Sequence, residues 1–217
     1  MRHLYHHRIR SGILVGTLAV AGIVVMAAMG GPTAHAAVDC VVGPGVVQTA
    51  TTVTGTAGND TIDCGGANPG KTINGNGGND TITGTAFNDK INGGRGSDTM
   101  TGGGGNDTMT GGRGNDTMTG SAGRDTLTGG AGNDTLTGSA GNDRVQGGPG
   151  DDTLSGGVGN DVVNGGVGTD ILHGNAGDDT LTGPPNDLSV DTLNGGAGSD
   201  ICQGPGPDGD TLVACNP

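Results

Sequence analysis

The sequence predicts an all-β fold, a parallel solenoid of two sheets in which each coil contains two nine-residue repeats. Three observations predict it: a strict period of nine, a glycine-rich half in every repeat, and a short half in which polar and apolar residues alternate. Of the 217 residues, 51 are Gly and 9 are Pro, and only 30% are hydrophobic. Such a composition without a pattern is typical of disorder. Any ordered structure must therefore come from the repeat.

Aspartate defines the repeat. Asp recurs every nine residues at twelve successive positions, and an apolar residue follows each of them two positions later. The twelve are Asp80, Asp89, Asp98, Asp107, Asp116, Asp125, Asp134, Asp143, Asp152, Asp161, Asp170 and Asp179. Weaker units flank this run at Asp60, Lys71, Asp191, Asp200 and Asp210. A fixed period over this length indicates a stack of equivalent structural units.

Each unit divides into a turn and a strand. In Thr135-Leu136-Thr137 an apolar side chain lies between two polar ones, as in a half-buried β-strand. Gly takes the first, second and fourth positions of the unit, and this glycine-rich half supplies the positive φ angles that reverse the chain. Collagen is excluded because it needs Gly at every third residue, and Gly-rich helices are unstable. Two strands and two turns form one coil, and stacked coils form two parallel sheets.

Residues 1–36 predict a secretory signal peptide. Arg2, Arg8 and Arg10 precede an uncharged, mostly apolar run over residues 13–29, and Ala34-His35-Ala36 follows as a cleavage site. An uncleaved anchor is the alternative, although this run is at the lower limit for crossing a bilayer. Cleavage removes three of nine Lys and Arg and leaves six against 22 Asp, a formal net charge of −16. We therefore expect cations as partners, and neither nucleic acid nor, after cleavage, membrane.

The unit Gly-Gly-x-Gly-x-Asp-x-apolar-x resembles the calcium-binding nonapeptide of the repeats-in-toxin (RTX) family, the haemolysin-type calcium-binding repeats. The resemblance covers residues 55–213. It implies a right-handed parallel β-roll with Ca²⁺ between the turns of adjacent coils, held by Asp carboxylates and backbone carbonyls. It also implies that Asp98 and Asp116 share one side of the roll, and Asp107 and Asp125 the other.

The chain departs from the family in its organisation. RTX toxins and proteases join the repeats to a large effector domain and often carry a carboxy-terminal export signal, whereas this sequence predicts an amino-terminal one. It looks like a free-standing, secreted bacterial member of the family. We expect a signal peptide over 1–36, a cap segment over 37–54, the repeats over 55–213 and a tail over 214–217.

The residues also argue for a metal without the family. Coils about 4.8 Å apart bring like charges together in each Asp column, and a divalent cation relieves that repulsion. Carboxylate and carbonyl oxygens in a flexible loop favour Ca²⁺ over Mg²⁺ or Zn²⁺, and about ten Ca²⁺ ions are expected. The predicted ligands are the twelve regularly spaced aspartates and Asp200.

Some units differ from the pattern. Lys71 takes an Asp position and is expected to remove that ligand, and Phe87 replaces the fourth Gly and is expected to hinder its turn. Ser121, Ser139 and Asn175 replace the second Gly and are expected to be tolerated. The string from Gly65 to Thr72 matches the phosphate-binding P-loop, but no helix pattern follows it, so we expect no nucleotide binding.

Four cysteines fit an oxidising compartment. They allow three pairings, but bridged Cα atoms lie within about 7 Å while eight stacked coils extend about 40 Å. If the roll forms, the sensible set is Cys40 with Cys64 and Cys202 with Cys215, each closing one end.

The sequence shows no catalytic triad or paired Glu, so we expect no enzyme activity. The favoured function is a secreted protein that binds extracellular Ca²⁺ and folds with it; its protein partner is unknown. The alternative is recognition of ice, glycan or mineral by a ladder of exposed threonines. Because Thr also suits exposed strand positions, the ladder is explained without recognition. The ladder pairs are Thr99 and Thr101, Thr117 and Thr119, and Thr135 and Thr137.

Overall fold

A computed structural model of the protein describes residues 39–183, 189–203 and 209–215. The signal peptide expected over residues 1–36 lies outside the described residues, as does the end of the predicted tail. Residues 184–188 also lie outside them; they belong to the interval from Asp179 to Asp191, which is three residues longer than one repeat. Among the residues that are described, no helix is long and apolar enough to cross a membrane.

The described chain is built from twenty strands joined by glycine-rich turns. Most run for six residues, from the Thr-apolar-Thr half of one unit into the glycines of the next. The strands are β1 (Val41–Val42), β2 (Val47–Gln48), β3 (Thr52–Thr54), β4 (Thr61–Asp63), β5 (Thr72–Gly77), β6 (Thr81–Thr83), β7 (Lys90–Arg95), β8 (Thr99–Gly104), β9 (Thr108–Arg113), β10 (Thr117–Ala122), β11 (Thr126–Ala131), β12 (Thr135–Ala140), β13 (Arg144–Pro149), β14 (Thr153–Val158), β15 (Val162–Val167), β16 (Ile171–Ala176), β17 (Thr180–Thr182), β18 (Thr192–Ala197), β19 (Ile201–Gln203) and β20 (Thr211–Val213).

The strands form two ten-stranded sheets that share the coils alternately. One sheet has the order β1-β4-β6-β8-β10-β12-β14-β16-β18-β20, and the other β19-β17-β15-β13-β11-β9-β7-β5-β3-β2. Thr117 aligns with Thr135 and Met118 with Leu136, a step of two repeats. From β3 and β4 onward all neighbours are parallel. The predicted two-sheet solenoid with two repeats per coil, about eight coils long, is confirmed.

A single row of apolar side chains fills the space between the sheets. Each comes from the middle of a strand, where alternation points it inward, and from Val53 to Leu193 none exceeds 1% exposure. The row begins with Val and Ile, continues with Met and ends mainly with Leu. Its members are Val53, Ile62, Ile73, Ile82, Ile91, Met100, Met109, Met118, Leu127, Leu136, Val145, Leu154, Val163, Leu172, Leu181 and Leu193.

The turns depend on positive φ angles at the second and fourth positions of the unit. Gly112 and Gly114, in one loop, have φ of 122° and 121°. Ser121, Ser139 and Asn175 adopt φ of 88°, 89° and 78° at the second position, so the structure accommodates these replacements as predicted.

The two ends of the roll are built differently. At the amino end β1 pairs antiparallel with β4, and β2 with β3, whereas β19 and β20 at the other end run parallel to their neighbours. Disulfides join Cys40 to Cys64, with Cα atoms 4.2 Å apart, and Cys202 to Cys215, with Cα atoms 5.8 Å apart. Both predicted pairings are therefore present.

Candidate metal centre

The aspartates of the repeat form two columns along the roll, one beside each line of turns. Each Asp is the last residue of a glycine loop and immediately precedes a strand, so the stacking of the strands fixes its height in the column. Asp98 and Asp116 lie on one side, and Asp107 and Asp125 on the other. All thirteen predicted ligands are at most 4% exposed.

One carboxylate oxygen of each Asp is used to join neighbouring coils. The backbone N–H of Asp98 donates to Oδ1 of Asp116 at 2.8 Å, and the N–H of Asp116 donates to Oδ1 of Asp134 at the same distance. The pattern begins at the N–H of Asp60, which donates to Asp80, and ends at that of Asp191, which donates to Asp210. Hydrogen bonds to a charged acceptor are stronger than neutral ones. This oxygen therefore has a structural role.

The other oxygen, Oδ2, lacks a hydrogen-bond donor among the described residues in most loops, although it is buried. A buried carboxylate oxygen without a partner is costly, and such groups call for a missing ligand or ion. The aspartates with this arrangement are Asp80, Asp98, Asp107, Asp116, Asp125, Asp134, Asp143, Asp152, Asp161, Asp179, Asp200 and Asp210.

Burial also favours the protonated, neutral form of these carboxyl groups when no cation is present. Desolvation raises the pKa of Asp107 and of Asp116 to about 7, against the opposing effect of the hydrogen bond to Oδ1. The neighbouring aspartates of each column raise the pKa further. The same causes raise the pKa of Asp80, Asp152 and Asp161 to about 6. A positive charge beside Oδ2 would lower these values again.

Backbone carbonyls face the same place as Oδ2. A Cβ atom added to Gly111 would overlap with Oδ2 of Asp116 and would lie 2.5 Å from the carbonyl oxygen of Gly129 in the next coil. Gly102 has the same relation to Asp107 and to the carbonyl of Gly120. The first Gly of the unit thus leaves room in which a carboxylate oxygen and a carbonyl oxygen converge.

This donor set fits Ca²⁺. Within the described ranges, no three His, Cys, Asp or Glu side chains converge on a metal position, so a bound ion must take much of its coordination from the backbone. Ca²⁺ accepts carboxylates mixed with backbone carbonyls in flexible geometry, whereas Zn²⁺ prefers His and Cys. The buried, donor-free Oδ2 atoms are the observation on which this fit rests.

Two loops are exceptions that the sequence reasoning did not anticipate. Oδ2 of Asp89 accepts a hydrogen bond from the N–H of Thr85 at 2.6 Å, and Oδ2 of Asp60 accepts one from the N–H of Thr56 at 2.6 Å. In both, Thr stands at the second position and lacks the positive φ found in other loops. The feature of the sequence that could have identified these two loops is Thr in place of the second Gly.

The loop that contains Phe87 turns by other means than the glycine loops. Its preceding strand, β6, ends after three residues, and the Thr85 hydroxyl accepts from the N–H of Phe87 at 3.0 Å. Phe87 itself is exposed. The replacement therefore changes the path of the turn.

Lys71 occupies an Asp position and is buried there, 3% exposed. Its backbone N–H donates to Oδ1 of Asp89 as an Asp would, while its ammonium Nζ donates to the carbonyl of Ala50 in the preceding coil. No carboxylate is present at this position, as expected. Strand β5 follows directly, where a P-loop would need a helix.

Comparison with known proteins agrees with this geometry. A family model described as the RTX calcium-binding nonapeptide repeat (4 copies) matches residues 49–68, 74–109, 110–145, 137–172, 146–181 and 189–204. No curated protein sequence matches the chain closely enough to be compared with it. The family match covers well over half of the chain and coincides with the two aspartate columns. The chain therefore belongs to the family of RTX calcium-binding nonapeptide repeat proteins.

Proposed function

We propose that this protein is a secreted calcium-binding module that folds when it binds extracellular Ca²⁺. The observation that supports this most directly is the row of buried Asp Oδ2 atoms that lack donors among the described residues, most of them beside the carbonyl oxygen of a glycine in the next coil. Two disulfides agree with an oxidising compartment. Residues 1–36 would supply the export signal, residues 37–54 the cap and residues 55–213 the binding roll.

The physical reason for coupling is that the metal-free roll carries uncompensated buried charge. Each Ca²⁺ placed between loops would neutralise Oδ2 and bind carbonyls from two coils, so binding stabilises only the stacked state. A ligand that binds only the folded state shifts folding by mass action. Extracellular calcium modules bind at about 0.1–1 mM, a concentration reached outside the cell.

The number of ions depends on how many loops supply a ligand. The ligands we propose are Asp80, the aspartates of the regular loops from Asp98 to Asp179, and Asp200, with up to about ten ions in all. Asp89, also predicted as a ligand from the sequence, is left out because its Oδ2 accepts from the N–H of Thr85. The columns are enclosed between coils, which suits ligands rather than acid–base catalysts, and we propose no catalytic role.

The threonine ladder is present on one sheet, where Thr117 aligns with Thr99 and Thr135. It is interrupted at Ile171 and His173, which align with Thr153 and Ser155. Surface recognition therefore gains no support beyond the strand preference of Thr.

Circular dichroism of the exported chain during a Ca²⁺ titration tests the proposal. We expect little strand signal in EGTA, a cooperative gain with Ca²⁺, and a much weaker response to Mg²⁺ at the same ionic strength. A chain that is equally ordered and equally protease-resistant after complete chelation would contradict it.

A further inference from the structure

We propose that the first coils, residues 40–95, form a calcium-independent nucleus from which the rest of the roll orders as calcium binds. The inference rests on the proposed function, because it assigns to one end of the molecule the coils that do not need the metal. It follows from how the Asp positions of these coils are satisfied by the chain itself.

In two of the carboxylates of this segment, Oδ2 has a donor from the chain itself. Asp60 accepts at Oδ2 from the N–H of Thr56 at 2.6 Å and from its hydroxyl at 3.0 Å. Asp89 accepts at Oδ2 from the N–H of Thr85 at 2.6 Å, and its Oδ1 accepts from the Thr85 hydroxyl at 3.2 Å. The backbone here supplies the donor that a regular loop lacks.

Lys71 places a positive charge inside the column that contains Asp89 and Asp107. Its ammonium is buried and donates to the Ala50 carbonyl, so a covalently attached cation binds a backbone oxygen of the neighbouring coil. A divalent ion would perform the same task in the regular loops. A buried ammonium would also repel a metal ion at this level of the column.

Asp80 is thus the only column carboxylate of residues 40–95 whose Oδ2 lacks a donor within the described chain. Beyond this segment the situation reverses, since donor-free Oδ2 atoms occur in every loop of the run from Asp98 to Asp161. These are Asp98, Asp107, Asp116, Asp125, Asp134, Asp143, Asp152 and Asp161.

Packing also favours the amino end over the carboxyl end. The core row starts with Val53 and Ile62, which are 0% and 1% exposed although they belong to the first coil. Antiparallel β1 and β2, the Cys40–Cys64 disulfide and the partly buried Val42 and Val46 cover that end. At the other end Leu212, at the inward position of β20, is 41% exposed.

Hydrogen–deuterium exchange of the full exported chain tests this directly, with peptide-level readout in EGTA and in saturating Ca²⁺. In EGTA we expect amides of β4–β7 to exchange at least roughly tenfold more slowly than those of β9–β15, and in Ca²⁺ we expect all of them to be protected. Uniformly fast exchange over residues 40–95 in EGTA would overturn the nucleus.

The two proposals fail differently. If Ca²⁺ leaves the exchange of β9–β15 unchanged, the proposed function is wrong. If Ca²⁺ protects those strands while residues 40–95 exchange fast in EGTA, only the nucleus is wrong.

A double substitution at residues 85 and 87 changes only the 84–89 loop and leaves the regular loops as they are. Thr85→Gly with Phe87→Gly restores the regular glycine pattern before Asp89. We expect one additional Ca²⁺ per chain by isothermal titration calorimetry and calcium-dependent protection of β6 and β7. Ser121→Gly, a change at the same loop position of a regular unit, is the matched control and should leave the stoichiometry unchanged. An unchanged stoichiometry in the double variant would overturn the assignment of the 84–89 loop as metal-independent.

Two substitutions of Lys71, to Asp and to Met, test whether its ammonium takes the place of a bound cation. Lys71→Asp introduces a buried carboxylate, so protection of β5 in EGTA should be lost and should return with Ca²⁺. Lys71→Met removes the charge but keeps the length of the side chain, so any loss of protection should not return with Ca²⁺. Equal behaviour of the two variants would overturn the role of the ammonium.

Discussion

The loops that end at Asp89 and at Asp116 carry the same carboxylate in the same column geometry, yet they satisfy it in opposite ways. In the first loop, residues 84–89, the N–H of Thr85 reaches Oδ2. In the second, residues 111–116, Gly112 has a φ of 122° and Oδ2 of Asp116 has no donor within the described chain. We call the first loop closed and the second open.

This comparison shows that the residue at the second position decides whether Oδ2 has a donor from the chain, in addition to shaping the turn. A positive φ there directs the chain so that its amide does not meet the carboxylate, and the buried oxygen is left without a donor in the described chain. Where Thr holds that position without a positive φ, its amide donates to Oδ2. In our proposal, a bound ion takes the place of that amide in the open loops.

The largest effect that follows from the open loops is on pH dependence, because many of them titrate together. Burial raises the pKa of Asp107 and Asp116 to about 7, so their protonated forms are favoured in the metal-free fold. Stability from this source is fully present below the ordinary value of about 4 and is lost as pH rises through about 7.

We therefore expect the strand signal of the chelated protein to increase from about pH 8 to about pH 5. Because protons compete with Ca²⁺ for the same oxygens, the calcium midpoint should rise by more than about tenfold between about pH 7.5 and 5.5. Circular dichroism in metal-free buffer, titrated with Ca²⁺ at each pH, measures both. A midpoint that does not change with pH would contradict the assignment of Oδ2 as a ligand.

The next effect concerns the glycine at the fourth position, and the loop of residues 138–143 offers a matched pair. A Cβ on Gly141 would overlap with the Gly123 carbonyl oxygen, and its φ is 142°. Gly141→Ala should therefore cost about 3 kcal/mol in calcium-saturated protein, measured by urea denaturation. Ser139→Ala, two residues earlier, keeps a Cβ that the structure already accommodates and should cost less than about 0.5 kcal/mol. Equal losses would show that the fourth glycine is not sterically required.

The smallest effect comes from replacing one carboxylate oxygen by an amide nitrogen in each of the two loops. Asp116→Asn keeps the Oδ1 acceptor but removes a charged Oδ2, so the calcium midpoint should rise and the stoichiometry should fall by one or two ions. Asp89→Asn places an amide against the Thr85 N–H, so it should destabilise the protein by about 1–3 kcal/mol with no change in stoichiometry. Calorimetric titration and thermal melts distinguish these outcomes, and a loss of ions from the Asp89 variant would remove the distinction between open and closed loops.

Most of the fold could be predicted from the repeat period. Twelve aspartates at an exact spacing placed the strands, the two columns and the inward row from Ile82 to Leu181, because stacking converts one correct unit into all of them. The disulfide pairs followed from the length of the stack. The closed loops could not be predicted in the same way, since whether the Thr85 amide reaches Asp89 depends on a backbone angle that the pattern does not specify. The buried ammonium of Lys71 was also unforeseen, because its partner Ala50 lies outside the regular repeat.

The stack tolerates some changes in length and not others. Asp170 donates to Asp191 over 21 residues at 2.8 Å, the same distance as Asp116 to Asp134 over 18. The three extra residues between them therefore leave the spacing of these two coils unchanged. Loss of a single nine-residue unit would instead move every later strand to the opposite sheet, whereas loss of two units would shorten the rod by one step of about 4.8 Å and change nothing else. We therefore expect stable length variants of this roll to differ by even numbers of units, because only such changes keep every strand in its own sheet.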